Sequence, residues 1–124
     1  MKKILIIEDE EALAEMYRKE FLQNDFEVKV ARSAEQGLGL LKREKPDLIL
    51  LDVLLPKGKS IYFLEKMNES DLSFVPVVAF SNYEIPEVKH QVKDLGVEKY
   101  LVKTNHTPKQ IVEKTKNILT KQSL

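Results

Sequence analysis

Three carboxylates stand in a row at Glu8, Asp9 and Glu10, directly after the apolar run 4–7, and a fourth, Asp52, directly follows the apolar run 48–51. Two carboxylates about 5 Å apart repel by roughly 3 kcal/mol at an effective dielectric near 20, so such a cluster needs a cation or a raised pKa. Oxygen donors alone suit a hard ion; magnesium accepts a few carboxylates, keeps several waters and can hold a phosphoryl oxygen as well. A carboxylate can itself be the nucleophile and form a mixed anhydride with phosphate. Two further groups fit that chemistry. Lys103 follows the run 100–102 and could neutralise an equatorial oxygen of a transferred group, while Ser81 follows the run 75–80 and could hydrogen-bond another. Taken singly, each has an ordinary explanation: acids favour helix N-termini, an aspartate can cap a helix, a lysine belongs on the surface, and Ser81-Asn82 is common turn chemistry. Clustered carboxylates in one crevice, by contrast, mark function.

The elements that must bring them together are visible as a change of period. Five apolar runs (4–7, 26–31, 48–51, 75–80 and 100–102) alternate with longer amphipathic stretches. The first, third and fourth are almost uninterrupted, as in parallel strands covered on both faces. The second and fifth, with Glu27, Lys29 and Lys99 in or beside them, read as edge strands. Between them, Leu13, Met16, Tyr17 and Phe21 mark one face of a first helix. Ser33 with Gln36 makes a capping box for a second, with Leu38 and Leu41 toward the sheet. Gly37 and Gly39 each cost about 1 kcal/mol against alanine there, so this helix is expected to be the least secure. Ile61, Leu64 and Met67 mark a third helix. Pro86 opens a fourth, with Val88, Val92 and Leu95 inward and Gly96 as its stop. Thr107, Pro108 and Gln110 start the fifth, striped by Ile111, Val112, Ile118 and Leu119. Five alternations predict a doubly wound α/β fold, a flavodoxin-like five-stranded parallel sheet of order 2-1-3-4-5 with five helices. In such a sheet the site lies beyond the carboxyl ends of the strands where the winding reverses, between strands 1 and 3, which is where Glu8, Asp9 and Asp52 fall.

The 124 residues fit one domain, residues 1–124, with 120–124 as a frayed tail. Lys plus Arg and Asp plus Glu number 20 each, which argues against a chain built to grip nucleic acid. There is no cysteine, hence no disulfide or thiolate metal site. No apolar run approaches a membrane span or a secretory signal, so a cytoplasmic location is expected.

The stretches 3–10 (KILIIEDE), 46–56 (PDLILLDVLLP) and 100–103 (YLVK) together resemble the receiver domain of two-component response regulators, in order and spacing along the whole chain. The resemblance implies that Asp52 is the phosphoacceptor, served by a sensor histidine kinase or a histidine phosphotransfer protein. It implies that Asp9, Asp52 and the Leu54 backbone carbonyl ligate magnesium directly and that Glu8 acts through water. Ser81 falls at the family's Ser/Thr switch position and Tyr100 at its aromatic switch position. Phosphorylation would draw the hydroxyl inward, bring the ring after it, and reshape the surface of helix 4, strand 5 and helix 5 for a downstream protein target or a homodimer. Such a protein catalyses only its own phosphorylation and dephosphorylation.

Departures from the family pattern accompany the matches. Glu8 stands where aspartate is commoner. The loop after strand 3 reads Pro56, Lys57, Gly58, Lys59, Ser60 where small residues are usual at the last two places, so Ser60 calls for an altered turn and Lys59 adds charge near the rim. The usual Lys-Pro is Lys103-Thr104, which requires either a cis non-proline bond, at about 2.5–4 kcal/mol, or a rebuilt loop. Leu54 and Tyr83, each two residues after a site residue, are expected to flank the path of an attacking water and lengthen the life of the aspartyl phosphate. A phosphate-independent pseudo-receiver acting as an interaction module is the alternative; it would be favoured by a missing acid, acceptor or lysine, and all are present. A flavin carrier would need a Ser/Thr/Gly-rich loop after strand 1, and a haloacid-type phosphatase an Asp-x-Asp there. Neither fits Glu8-Asp9-Glu10.

Overall fold

A computed structural model describes residues 1–122. The chain alternates β1 (Lys3–Ile7), α1 (Glu11–Gln23), β2 (Glu27–Ala31), α2 (Ala34–Glu44), β3 (Leu48–Asp52), α3 (Lys59–Asn68), β4 (Val77–Ser81), α4 (Pro86–Asp94), β5 (Lys99–Val102) and α5 (Pro108–Gln122). All pairings are parallel and the sheet order is β2-β1-β3-β4-β5, as the alternation predicts. Helix α5 continues through residues 120–122, past the point where a frayed tail was expected; residues 123 and 124 lie outside the described residues.

The uninterrupted apolar runs have their cause in the two layers that cover the sheet. Leu5, Ile7, Ile49, Leu51, Val77 and Ala79 face α2, α3 and α4, where they meet Leu40, Leu41, Phe63, Leu64, Met67 and Val92. The alternate residues Ile4, Ile6, Leu48, Leu50, Val78 and Phe80 face α1 and α5, meeting Tyr17, Phe21, Ile111, Val112 and Ile118. Each strand residue points opposite to its neighbour, so a strand covered on both sides must be apolar at every position. Edge strand β2 alternates instead: Glu27 and Lys29 are exposed.

Two helices bury residues that the sequence reading did not name, and Met16 of the first stripe lies outside the core. In α1 the inward positions are Ala14, Tyr17 and Phe21, and Met16 is 39% exposed. The rings set this rotation: Tyr17 packs edge-on against Phe80 at 5.2 Å and Phe21 against Phe26 at 5.4 Å, leaving the small Ala14 in line with them. In α2 the buried side chains are Ala34, Leu40 and Leu41, while Leu38 is only half-buried. The Ser33 hydroxyl accepts from Gln36 N–H at 3.1 Å as a cap should, but Gln36 returns its bond to the N–H of Arg32 (2.7 Å), one residue earlier than in a standard box. At α5 both halves of the box form between Thr107 and Gln110. Gly96, with φ of 96°, makes the left-handed exit from α4.

Gly37 has a packing role rather than a weakening one. A Cβ placed there would lie 2.7 Å from Ile7 Cδ1 and 3.3 Å from Phe63 Cε2, both side chains fully buried. The missing side chain therefore brings α2 close to β1 and α3 just below the acidic rim. At Gly39 the nearest atom is the mobile end of Arg43, at 3.6 Å. Gly39→Ala should therefore gain roughly 0.5–1 kcal/mol of stability from helix propensity. Gly37→Ala should lose about 1 kcal/mol or more, because overpacking outweighs the same propensity gain. Urea denaturation of the two variants beside the parent checks both signs.

Candidate functional site: an acidic crevice closed by a buried lysine

The carboxyl ends of β1, β3 and β4, with the residue after β5, meet at one rim. Glu8 extends β1 by one residue; its N–H donates to Ala31 O at 3.0 Å and its side chain is fully buried. Asp9, the next residue, is exposed. Asp52 ends β3, buried, with Oδ1 accepting from Leu54 N–H at 2.9 Å. One carboxylate oxygen from each of Glu8, Asp9 and Asp52 lies within 4.8 Å of the others. Such an all-oxygen donor set fits a hard divalent cation.

Lys103 closes the crevice from the β5 side. Its Nζ donates to Glu8 Oε1 at 2.7 Å, lies 3.5 Å from Asp52 Oδ2, and stands 4.6 Å from the Phe80 ring centroid. The lysine is itself buried, so this ammonium has exchanged water for two carboxylates and a ring face. Burial, and then the neighbouring Asp52, push the Glu8 carboxyl up to about 7, with Lys103 pulling the other way. Burial likewise pushes the Tyr17 hydroxyl behind the site up to about 12, with Glu8 and Asp52 adding to it. The Lys103–Thr104 bond is trans, like every peptide of the described residues, and the chain turns at once through Lys103–Asn105.

Ser81, fully buried at the end of β4, accepts through Oγ from Tyr83 N–H at 3.2 Å. The carbonyl of that same Tyr83 accepts from the Tyr100 hydroxyl at 2.7 Å. A continuous path thus runs from the Ser81 hydroxyl through one backbone residue to the half-buried Tyr100 on β5. Leu54 and Tyr83, two residues after Asp52 and Ser81, are 39% and 65% exposed.

Two residues that sequence reasoning did not count as site residues shape the rim. The buried Ser60 hydroxyl donates to Asp52 O at 2.7 Å and accepts from Leu55 N–H at 3.1 Å, so it ties the loop after β3 to the strand end. This is the altered turn that Ser60 calls for. It is reached through Lys57 and Gly58, both left-handed with φ of 61° and 68°. Arg32 donates to the Asp9 carbonyl and holds the loop after β1 against that after β2. A hydroxyl eight residues after Asp52 and a cation after β2 were the available signals; neither has meaning until the loops are in place. Lys59 near this rim is engaged by Glu35 at 2.7 Å and lies over the Tyr62 ring.

Comparison with known proteins identifies the family and the fold. A family profile described as the response regulator receiver domain matches residues 4–116. The alkaline phosphatase synthesis transcriptional regulatory protein PhoP of Bacillus subtilis is 29% identical over 123 residues, covering 99% of this chain and 50% of that protein. The phosphate regulon transcriptional regulatory protein PhoB of Escherichia coli is 31% identical, covering 98% and 53%. This chain therefore spans about half the length of these curated relatives. Among solved structures, the CheY-like receiver domain protein of Methanospirillum hungatei superposes with a TM-score of 0.91 at 26% identity, over 99% of this chain and 97% of that one. The chain belongs to the response regulator receiver family, the phosphoacceptor signalling domains of two-component systems rather than classical enzymes.

Proposed function

We propose that this receiver takes a phosphoryl group on Asp52 from the phosphohistidine of a sensor histidine kinase or histidine phosphotransfer protein, with magnesium as its cofactor. The observation that carries the reading is the state of the Asp52 carboxylate: Oδ1 is fixed by Leu54 N–H, while Oδ2 faces a buried ammonium inside an acid cluster. Asp9, Asp52 and the Leu54 carbonyl would hold the metal directly, and Glu8 through a water. When bound, magnesium supplies positive charge to the cluster and to phosphoryl oxygens. An Asp52 oxygen attacks phosphorus; an O–P bond forms, the P–N bond breaks, and the imidazole leaves, taking up a proton from solvent. Lys103 neutralises one equatorial oxygen and the Ser81 hydroxyl donates to another.

The bonds of Tyr83 support a switch. Its N–H is held by Ser81 Oγ and its carbonyl by Tyr100, so a hydroxyl drawn toward a phosphoryl oxygen disturbs a residue that also anchors the ring. Tyr100 follows, and the surface of α4, β5 and α5 changes for a downstream protein target or a second copy. With equal numbers of basic and acidic side chains, the domain itself offers no field for nucleic acid.

Incubation with acetyl phosphate and magnesium should add one phosphoryl group by intact mass, and the gain should vanish in Asp52→Asn and in EDTA. Labelling that survives Asp52→Asn would refute the assignment of the acceptor. Because Glu8 holds its proton up to about pH 7, and the metal favours the ionised cluster, magnesium affinity should rise by about tenfold between pH 6 and 8 and the rise should flatten in Glu8→Gln. Calorimetric titrations across that range read the slope. Leu54 and Tyr83 flank the approach of water to the aspartyl phosphate. Leu54→Asn and Tyr83→Glu should release phosphate faster than the parent in a time course, and unchanged rates would remove their role.

A further inference from the structure

The geometry points to a second task for Glu8, one that rests on the reading of Asp52 as the acceptor: it is a positioning residue that works through Lys103, holding the ammonium off Asp52 so that one acceptor oxygen stays open. Both Glu8 oxygens are already engaged by the protein. Oε1 accepts from Lys103 at 2.7 Å, and Oε2 accepts from the Glu10 N–H at 3.3 Å. The second bond holds the carboxylate, which is completely buried. Across the crevice, Lys103 stops 3.5 Å from Asp52 Oδ2, too far for a strong hydrogen bond. Phe80 supports the ammonium from below at 4.6 Å. Asp52 Oδ1 already carries the Leu54 N–H, so Oδ2 is the oxygen that this arrangement spares.

The consequence is a competition. A lysine with only Asp52 as its counter-ion would settle on Oδ2, since a buried ammonium must be paired, and would then stand where a metal and a phosphorus atom both need to approach. The longer side chain of Glu8, compared with the aspartate commoner at this place, reaches the ammonium from the end of β1 and keeps it back. In addition to its contact with the metal through a water, Glu8 then raises metal affinity by restraining a rival cation.

A double-mutant cycle on magnesium binding at pH 8 separates this from direct metal ligation, with affinities measured by calorimetry on wild type, E8Q, K103M and E8Q/K103M. The proposal expects E8Q to weaken binding and K103M to tighten it by at least about threefold more in the E8Q background than in wild type. In E8Q the lysine has moved onto Asp52, and its removal frees that oxygen. If Glu8 serves the metal alone and does not restrain the lysine, K103M tightens binding equally in both backgrounds, or more in wild type where it uncovers a bare carboxylate. Either result overturns the proposal while leaving Asp52 as the acceptor. Wild-type protein that binds no magnesium overturns both readings. Should E8Q fail to give a cooperative melt, E8M replaces it, with the same sign of coupling expected.

Discussion

A single ammonium held among buried carboxylates sets the terms for the rest of the molecule. Lys103 gives up hydration to lie between Glu8 and Asp52, where its charge offsets theirs. The three groups arrive from β1, β3 and the residue after β5, so their encounter requires those strands to be held in fixed register. That register is supplied by residues with no chemistry at all: Ile4 to Ile7, Leu48 to Leu51 and Val77 to Phe80 are buried along their whole length. The apolar interior and the charged rim are thus one design. Strands that must be greasy on both faces can present polar groups only where they end.

The same rim joins chemistry to a surface through backbone more than through side chains. Ser81 is sealed in the core, yet its oxygen holds the N–H of a residue whose carbonyl is held by Tyr100. Under the proposed switch, a displaced hydroxyl would reach Tyr100 through these two bonds to Tyr83. Interiors this dense resist continuous deformation, which favours transmission along such a loop at the edge of the sheet.

Much of this was legible in the sequence because period and position carry it. Uninterrupted apolar runs identify the central strands, and the residues immediately after them identify the site, since a parallel sheet sends every strand end to one side. The capping residues Ser33 and Thr107 were readable for a similar reason: their partners lie three residues away. What was not legible depends on distant neighbours. Met16 and Ala14 are both compatible with the apolar stripe of α1, and the choice was made with Phe80, which lies elsewhere in the chain. In α2, Leu40 joins Leu41 in the core with Leu38 half-buried against it. Gly37 looks like a weak point until Ile7 and Phe63 are seen against it. Lys103 was readable as a site cation, but its preference for Glu8 over Asp52 is a matter of less than an ångström.

Ser60 bears on the thermodynamics of anything that binds beside Asp52. Its hydroxyl fastens the strand end and the Leu55 amide together, so Leu54 between them is ordered before any ligand arrives. Free loops lose conformational freedom when they close on an ion, and that loss is subtracted from affinity. Here the loss has been moved back to the folding step, where the cooperative burial of the whole sheet absorbs it, and later occupancy of the crevice proceeds against a frame that is already rigid.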